Sequence, residues 1–391
     1  METTVIIVGA GPSGLSTAAC LSKASIPYKL LEREDCSASL WRKYAYDRLC
    51  LHLPKKSSEL AFMEIPDPFP NYLTKKMFVE YIDSYISKFG IEPMFWRNVE
   101  GAELDRELKK WKVRVRVRNN NKNKSINGEE GEMEEYVGRY LVVATGETAE
   151  AYMPEVEGME KFGGGVMHSK MYKSGKGYEG KKVLVVGSGN SGMEIAYDLV
   201  NHSAATSLLV RSPIHILTRR LINLQVFLGK YLPLGFLDSL MVFLSKMVFG
   251  DLTKYGMKRP NKGPIYMKRH HGKFPIIDAG TCNKIKSGEI QVISSEIAKV
   301  ESKKNVIFKD GKMVSFDDII FCTGFTSSAN SWLKDDGSLL NDDGLSKVNQ
   351  PNHWKGSNGL YCVGLSKRGL FGSKFEAQEV AKDIAAQLQC I

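Results

Sequence analysis

The hexapeptide Gly9-Ala10-Gly11-Pro12-Ser13-Gly14 follows the apolar run Thr4-Val5-Ile6-Ile7-Val8. The same arrangement returns at Gly187-Ser188-Gly189-Asn190-Ser191-Gly192, after Lys182-Val183-Leu184-Val185-Val186. Each fits G-x-G-x-x-G set between a buried strand and a helix. In that setting the first glycine makes a tight turn, the second lets backbone approach a pyrophosphate, and the third lets helix pack on strand. The helix start then offers free N–H groups and a partial positive charge to phosphates. Two such units point to an α/β fold with two Rossmann-like dinucleotide-binding domains. The usual chemical reason for two dinucleotides on one chain is electron transfer from a nicotinamide to a flavin.

The residues after each second strand separate the two cofactors. In the first unit Tyr28-Lys29-Leu30-Leu31 ends at Glu32, where a dinucleotide's ribose hydroxyls need an acceptor. In the second, Ser207-Leu208-Leu209-Val210 ends in Arg211-Ser212. An arginine there favours a 2′-phosphate over a free hydroxyl, so the nicotinamide cofactor is expected to be NADPH. Two further apolar strands close into small-Thr-Gly turns, Ala144-Thr145-Gly146 and Cys322-Thr323-Gly324, which let main chain pass close to a cofactor.

Pro154 and glycines 158 and 163–165 mark a linker. Near the C-terminus, Gly359-Leu360-Tyr361-Cys362-Val363-Gly364 reads as a strand entering a glycine turn, and residues 376–388 as a helix. A strand, turn and helix after the second unit suggest that the chain returns to complete the first. The expected organisation is a discontinuous FAD domain, 1–165 and 286–391, with an NADPH domain inserted at 166–285. Residues 112–118 read as a strand with one buried face and 119–134 as a long exposed hairpin loop.

The 391 residues are 43% hydrophobic and 25% charged, as in a globular protein. Seven cysteines, an odd number with no C-x-x-C, indicate neither a disulfide framework nor a zinc site, and no metal is expected. A reducing compartment fits. No signal-peptide pattern opens the chain, so a cytoplasmic location is expected, with association with the cytosolic face of the endoplasmic reticulum left open. Residues 221–249 are the most apolar window. Lys230, Asp238 and Lys246 interrupt it and Pro233 and Gly235 divide it, so it reads as two short amphipathic helices rather than a transmembrane segment. The formal charge is +10, densest from Lys254 to Lys273. No nucleic-acid motif accompanies it, so no nucleic-acid partner is expected. A solvated face and peripheral contact with an anionic membrane surface both remain open.

Between the glycine motifs, Phe162-Gly163-Gly164-Gly165-Val166-Met167-His168-Ser169-Lys170-Met171-Tyr172 matches F-x-G-x-x-x-H-x-x-x-[YF]. By this signature the chain resembles the flavin-containing monooxygenases and their Baeyer–Villiger relatives. Within them it is most similar to the plant YUCCA-type enzymes, which act on indole-3-pyruvate. The matching stretches include Ala38-Ser39-Leu40-Trp41, Tyr46-Asp47-Arg48-Leu49, Leu51-His52-Leu53-Pro54-Lys55, Gly192-Met193-Glu194-Ile195 and His353-Trp354-Lys355-Gly356. The resemblance implies that NADPH reduces FAD and that O2 is captured as a flavin C4a-(hydro)peroxide. This attacks the keto carbon of a small α-keto acid, which loses CO2. For indole-3-pyruvate the product is indole-3-acetate, an auxin. It implies FAD contacts from Gly9, Gly11, Pro12, Ser13, Gly14, Glu32, Leu40, Trp41 and Thr145. NADPH contacts would come from Gly187, Gly189, Asn190, Ser191, Gly192, Arg211 and Ser212, with Thr323 and Gly324 closing the second small-Thr-Gly turn. Asn190 and His52 are the candidates for the reactive flavin edge, although His52 stands where the broader class resembles itself in carrying Asn.

The chain departs from the family at Cys322 and Phe325, where Ala and Tyr are usual, at Ser373-Lys374-Phe375-Glu376 and at Lys55-Lys56-Ser57-Ser58. These positions leave open a different keto acid or an N or S centre as substrate. Two other classes pair such domains or need not turn over. A pyridine-nucleotide disulfide reductase requires a close cysteine pair, and Cys36 and Cys50 are too far apart for the usual motif. A non-catalytic flavoprotein would show no cofactor-dependent NADPH oxidation.

Overall fold

The computed structural model describes residues 1–118, 131–335, 337–348 and 350–389, so most of the 119–134 loop expected from sequence lies outside the described residues. The chain divides into two compact units, Met1–Ala45 with Leu49–Glu150 and Phe325–Ile391, and Tyr46–Arg48 with Ala151–Gly324.

The first unit opens with β1 (Glu2–Val8), α1 (Pro12–Lys23) and β2 (Tyr28–Leu31), followed by α2 (Lys75–Phe89), β3 (Arg97–Asp105), β4 (Lys110–Val117) and β5 (Met133–Val143). β1 lies between β2 and β5, parallel to both, while β3, β4 and β5 run antiparallel. Val5, Ile6, Ile7 and Val8 are all buried because both faces of β1 are covered. Helix α2 is stopped at both ends by local chemistry: the Thr74 side chain accepts from Met77 N–H at its start, and Gly90 takes a left-handed turn (φ 57°) at its end.

The second unit contains β6 (Gly165–His168), β7 (Lys182–Val186), α3 (Asn190–Asn201), β8 (Ala205–Leu209), α4 (Arg219–Leu228), α5 (Leu234–Phe249) and α6 (Pro264–His271). It continues with β9 (Ile290–Ile293), β10 (Ile297–Val300), β11 (Asn305–Phe308), β12 (Met313–Ser315) and β13 (Asp318–Phe321). Strands β9-β8-β7-β13-β6 form a five-stranded parallel sheet. The antiparallel meander β10-β11-β12 lays Val306, Phe308 and nearby Phe316 against Leu184, Leu209 and Phe321 of that sheet. The 221–249 window forms two helices, as read from sequence, and they join at Pro233.

β13 corrects the expected boundaries. The sequence places it in the return segment, yet it pairs with β7 on one side and β6 on the other, inside the second unit's sheet. The second unit therefore runs from 151 to 324 rather than from 166 to 285. The chain then returns to the first unit as β14 (Leu360–Cys362) and α7 (Gly369–Gln389). β14 pairs in parallel with Leu141–Val143 of β5, beyond the stretch of β5 that pairs with β4. Helix α7 begins at Gly369, seven residues earlier than the apolar pattern suggested.

Candidate cofactor sites

The two glycine turns share one geometry. Gly9 and Gly187 have φ of +104° and +110°, and a Cβ on either would stand 2.6 Å from Ala144 O or 2.5 Å from Cys322 O. A side chain is thus excluded twice, by backbone conformation and by the neighbouring strand end. A Cβ on Gly14 or Gly192 would stand 1.8 Å from the carbonyl oxygen of Gly9 or Gly187, so these glycines set the close approach of helix to turn. Gly11 and Gly189 differ. Both have ordinary negative φ, both precede the first helical residue, and a Cβ on either would meet nothing within 4 Å. The open space lies over a helix start with uncommitted N–H groups, which is what a pyrophosphate requires.

Around the first turn, buried Glu32 bridges backbone. Its carboxylate accepts Ala10 N–H at 2.8 Å and Glu34 N–H at 3.0 Å. Burial pushes its pKa up, opposed by those two bonds. Ala38, in a left-handed conformation, donates its N–H to Ala10 O at 2.9 Å and sets the short helical turn Ser39–Arg42 against the glycine turn. Leu40 and Trp41 lie in that turn, half-buried, and the Trp41 ring packs 4.6 Å from Phe78. Ser13, at the start of α1, shares a hydrogen bond with Ser373 at 2.8 Å. Thr145 Oγ1 and Glu147 Oε2 are buried without a hydrogen-bond partner. Buried orphan oxygens are rare in a finished interior and fit a polar ligand beside this turn. His52 is half-buried in the loop that follows Cys50.

Around the second turn, Asn190 Oδ1 accepts Ile277 N–H at 2.8 Å, so this side chain ties the start of α3 to the short strand Ile276–Ile277. Gly189, Ser191 and Gly192 stand in the turn and the first turn of α3, and Arg211 is exposed just past β8 with Ser212 beside it. Thr323 Oγ1 donates to Tyr152 O, which fixes the Cys322-Thr323-Gly324 turn. The linker signature is architectural here. His168 Nδ1 accepts Lys170 N–H at 3.1 Å, which leaves Nε2–H to donate to Gly324 O at 3.0 Å. Burial pushes His168 below the usual imidazole range, with the bond to Gly324 in opposition. Tyr172 donates to Asp198 at 2.7 Å, and Gly175 N–H donates to the same oxygen at 2.8 Å.

The profile of the flavin-binding monooxygenase-like family matches residues 2–380. The chain belongs to that family. This flavin monooxygenase is an oxidoreductase, and its cofactors are FAD and NADPH. It is 45% identical over 388 residues to the probable indole-3-pyruvate monooxygenase YUCCA10 of Arabidopsis thaliana, covering 99% of this chain and 98% of that one. It is 44% identical over 387 residues to the indole-3-pyruvate monooxygenase YUCCA1 of rice, Oryza sativa subsp. japonica, covering 98% and 91%. Among solved structures it resembles a flavin-containing monooxygenase from Stenotrophomonas maltophilia, with a TM-score of 0.70 at 21% identity over 99% of both chains. At that identity the likeness is one of fold.

The thiols of this flavin monooxygenase do not suit a disulfide reductase. The six cysteines among the described residues are free, and burial pushes Cys20 and Cys322 up to about 12 and Cys36 to about 11. A reactive thiol needs the opposite shift.

Sequence reasoning missed a polar cluster beside the first turn. Glu376, 2% exposed, accepts from His353 Nε2 at 3.0 Å, Gly364 N–H at 2.7 Å and Ser366 Oγ. Gly364 presses on the start of α1: a Cβ there would lie 2.1 Å from Ser13 Oγ. The available signal was an acid on the buried stripe of a helix, which requires partners.

Proposed function

We propose that the first unit holds FAD, the second holds NADPH, and the substrate is indole-3-pyruvate, oxidised to indole-3-acetate. The observation that carries the cofactor assignment is the pair of glycine turns with open space only over the second glycine, combined with an acid after β2 and an arginine after β8. The substrate reading is supported by the 44–45% identity to indole-3-pyruvate monooxygenases over nearly the whole chain. The reaction balances as indole-3-pyruvate + NADPH + H+ + O2 giving indole-3-acetate + CO2 + NADP+ + H2O.

When bound, FAD supplies hydride acceptance from NADPH and the activation of O2. The chain binds, orients and excludes water. In this reading the N–H groups at the starts of α1 and α3 hold the two pyrophosphates, over Gly11, Pro12, Ser13 and over Gly189, Ser191. Glu32, kept in place by Ala10 and Glu34, takes the FAD ribose, with Leu40, Trp41 and Thr145 against the same cofactor. Arg211, with Ser212 beside it, pairs with the 2′-phosphate of NADPH. Thr323 and Gly324 shape the second turn. Asn190 and His52 serve at the reactive edge, Asn190 through an amide whose oxygen is already committed to Ile277.

Arg211 gives a selective test. A charge-assisted hydrogen bond contributes about 1.5–3 kcal/mol, or roughly 10- to 100-fold. Arg211→Ser is therefore expected to lower kcat/KM for NADPH by about that factor and to leave NADH nearly unchanged, measured as flavin reduction. Equal losses with both nucleotides would remove Arg211 from the phosphate site. The substrate is tested by product analysis of the FAD-loaded enzyme with indole-3-pyruvate.

A further inference from the structure

Helices α4 and α5 of the second unit display apolar side chains that a water-facing helix does not carry. On α5, Leu237, Met241, Ser245 and Phe249 are buried, as one face of a packed helix should be. The opposite face, at i, i+4, i+7 and i+11, is Phe236, Leu240, Phe243 and Met247. Phe236, Phe243 and Met247 are 60%, 58% and 68% exposed. The stretch entering α5 continues this surface: Phe227 and Tyr231, 58% and 71% exposed, pack with ring centroids 5.5 Å apart and planes tilted by 58°. A helix apolar on both faces belongs in an interior or at an interface.

The charge around these helices names the partner. Residues 213–275 hold eleven lysines and arginines against two aspartates, a net +9 out of the chain's +10. One of the two acids is hidden. Asp238 is buried and caps α6, accepting Ile265 N–H at 2.7 Å and Tyr266 N–H at 3.1 Å. No acid follows between Asp251 and Asp278, while Lys254, Lys258, Lys262, Lys268, Arg269 and Lys273 are exposed. A second copy of this surface would meet it with like charge. An anionic lipid surface complements both features, with acyl chains for the aromatic stripe and headgroups for the cations.

We infer that the α4–α5 hairpin docks this protein onto anionic membrane surfaces, its exposed apolar face lying in the headgroup region. It lies on the membrane rather than crossing it: no helix among the described residues is long and apolar enough to span. Ordinary lipid-binding logic then applies, with apolar insertion setting the base affinity and the lysines setting selectivity for anionic lipid.

The test is flotation of the FAD-loaded full chain with phosphatidylcholine vesicles, with and without phosphatidylserine. Binding is expected on the phosphatidylserine vesicles, weakening as salt rises. The triple variant Phe236→Ser, Phe243→Ser, Met247→Ser is expected to lose binding at least ten-fold with unchanged flavin content and circular dichroism. Lys254→Ala, Lys258→Ala, Lys262→Ala together should lose about 100-fold on anionic vesicles, at roughly five-fold per cation near the surface. Wild-type protein that ignores phosphatidylserine vesicles would overturn the inference. So would equal binding to both vesicle types, serine variants that bind like wild type, or salt-insensitive self-association by sedimentation without vesicle binding.

Discussion

Gly189→Val is expected to fold normally and to lose NADPH, whereas Gly192→Ala, three residues on, is expected to damage the second unit itself. At Gly189 the backbone has φ −68° and ψ −178°, which any residue adopts, and a Cβ meets nothing within 4 Å. The added side chain enters only the space over the start of α3. Thermal stability should fall by only about 1 kcal/mol, the cost of replacing Gly by Val at the N-cap of α3. The KM for NADPH should rise at least about 100-fold, because a bulky group replaces the closest backbone approach to the pyrophosphate. At Gly192 the obstacle is the Gly187 carbonyl oxygen, 1.8 Å from the new Cβ. Backbone cannot rotate away as a side chain can, so helix α3 must shift off β7, at a cost of about 3 kcal/mol or more. Melting curves and NADPH titrations of the two variants check the contrast. An unperturbed KM in a folded Gly189→Val would mean that the pyrophosphate does not lie over this turn.

Glu376→Ala is expected to be among the most destabilising single changes in the first unit. It removes a carboxylate that is 2% exposed and strands His353, Ser366 and the Gly364 N–H in the interior. Removing one partner of a buried ionic cluster costs about 3–5 kcal/mol, or a drop of about 6–20 °C in Tm for a unit of this size. Because Gly364 bears on Ser13, loss of FAD should accompany the loss of stability. The same cluster gives a pH signature. Burial pushes the Glu376 pKa up, but the bonds from His353, Ser366 and Gly364 outweigh it and hold the carboxyl below its usual value. A depressed folded-state pKa contributes stability that is complete above the unfolded value, near 4.3, and is lost as pH falls through the folded value. Wild-type stability should therefore fall on acidification below about pH 5, and Glu376→Gln should flatten that part of the profile. Denaturation of both proteins across this range measures it. A Glu376→Gln profile as steep as wild type would assign the acid sensitivity to other carboxylates.

The glycine turns were legible in the sequence because every requirement is local. Gly9, Gly11 and Gly14 answer to their own φ, to one carbonyl and to one helix start, and the same holds at 187–192. The lone strands were legible as strands but not as neighbours. Asp318-Ile319-Ile320-Phe321 is apolar enough for the centre of either parallel sheet, and only long-range pairing with β6 and β7 places it in the second unit. Side-chain partners were less legible still. Nothing in the spacing says that Asn190 bonds Ile277 or that His168 reaches Gly324, since those bonds join segments 87 and 156 residues apart, or that the loop before α7 folds back to bring three donors to Glu376. The 221–249 window gave up its two helices, but its exposed stripe emerged only when the buried face of α5 was known.

The most direct measurement is product analysis of the FAD-loaded protein with NADPH, O2 and indole-3-pyruvate, with controls lacking NADPH because this keto acid also decays by itself. The expected result is one indole-3-acetate and one CO2 for each NADPH consumed. NADPH oxidation that yields only hydrogen peroxide would contradict the substrate, and no NADPH oxidation by the loaded protein would contradict the enzyme.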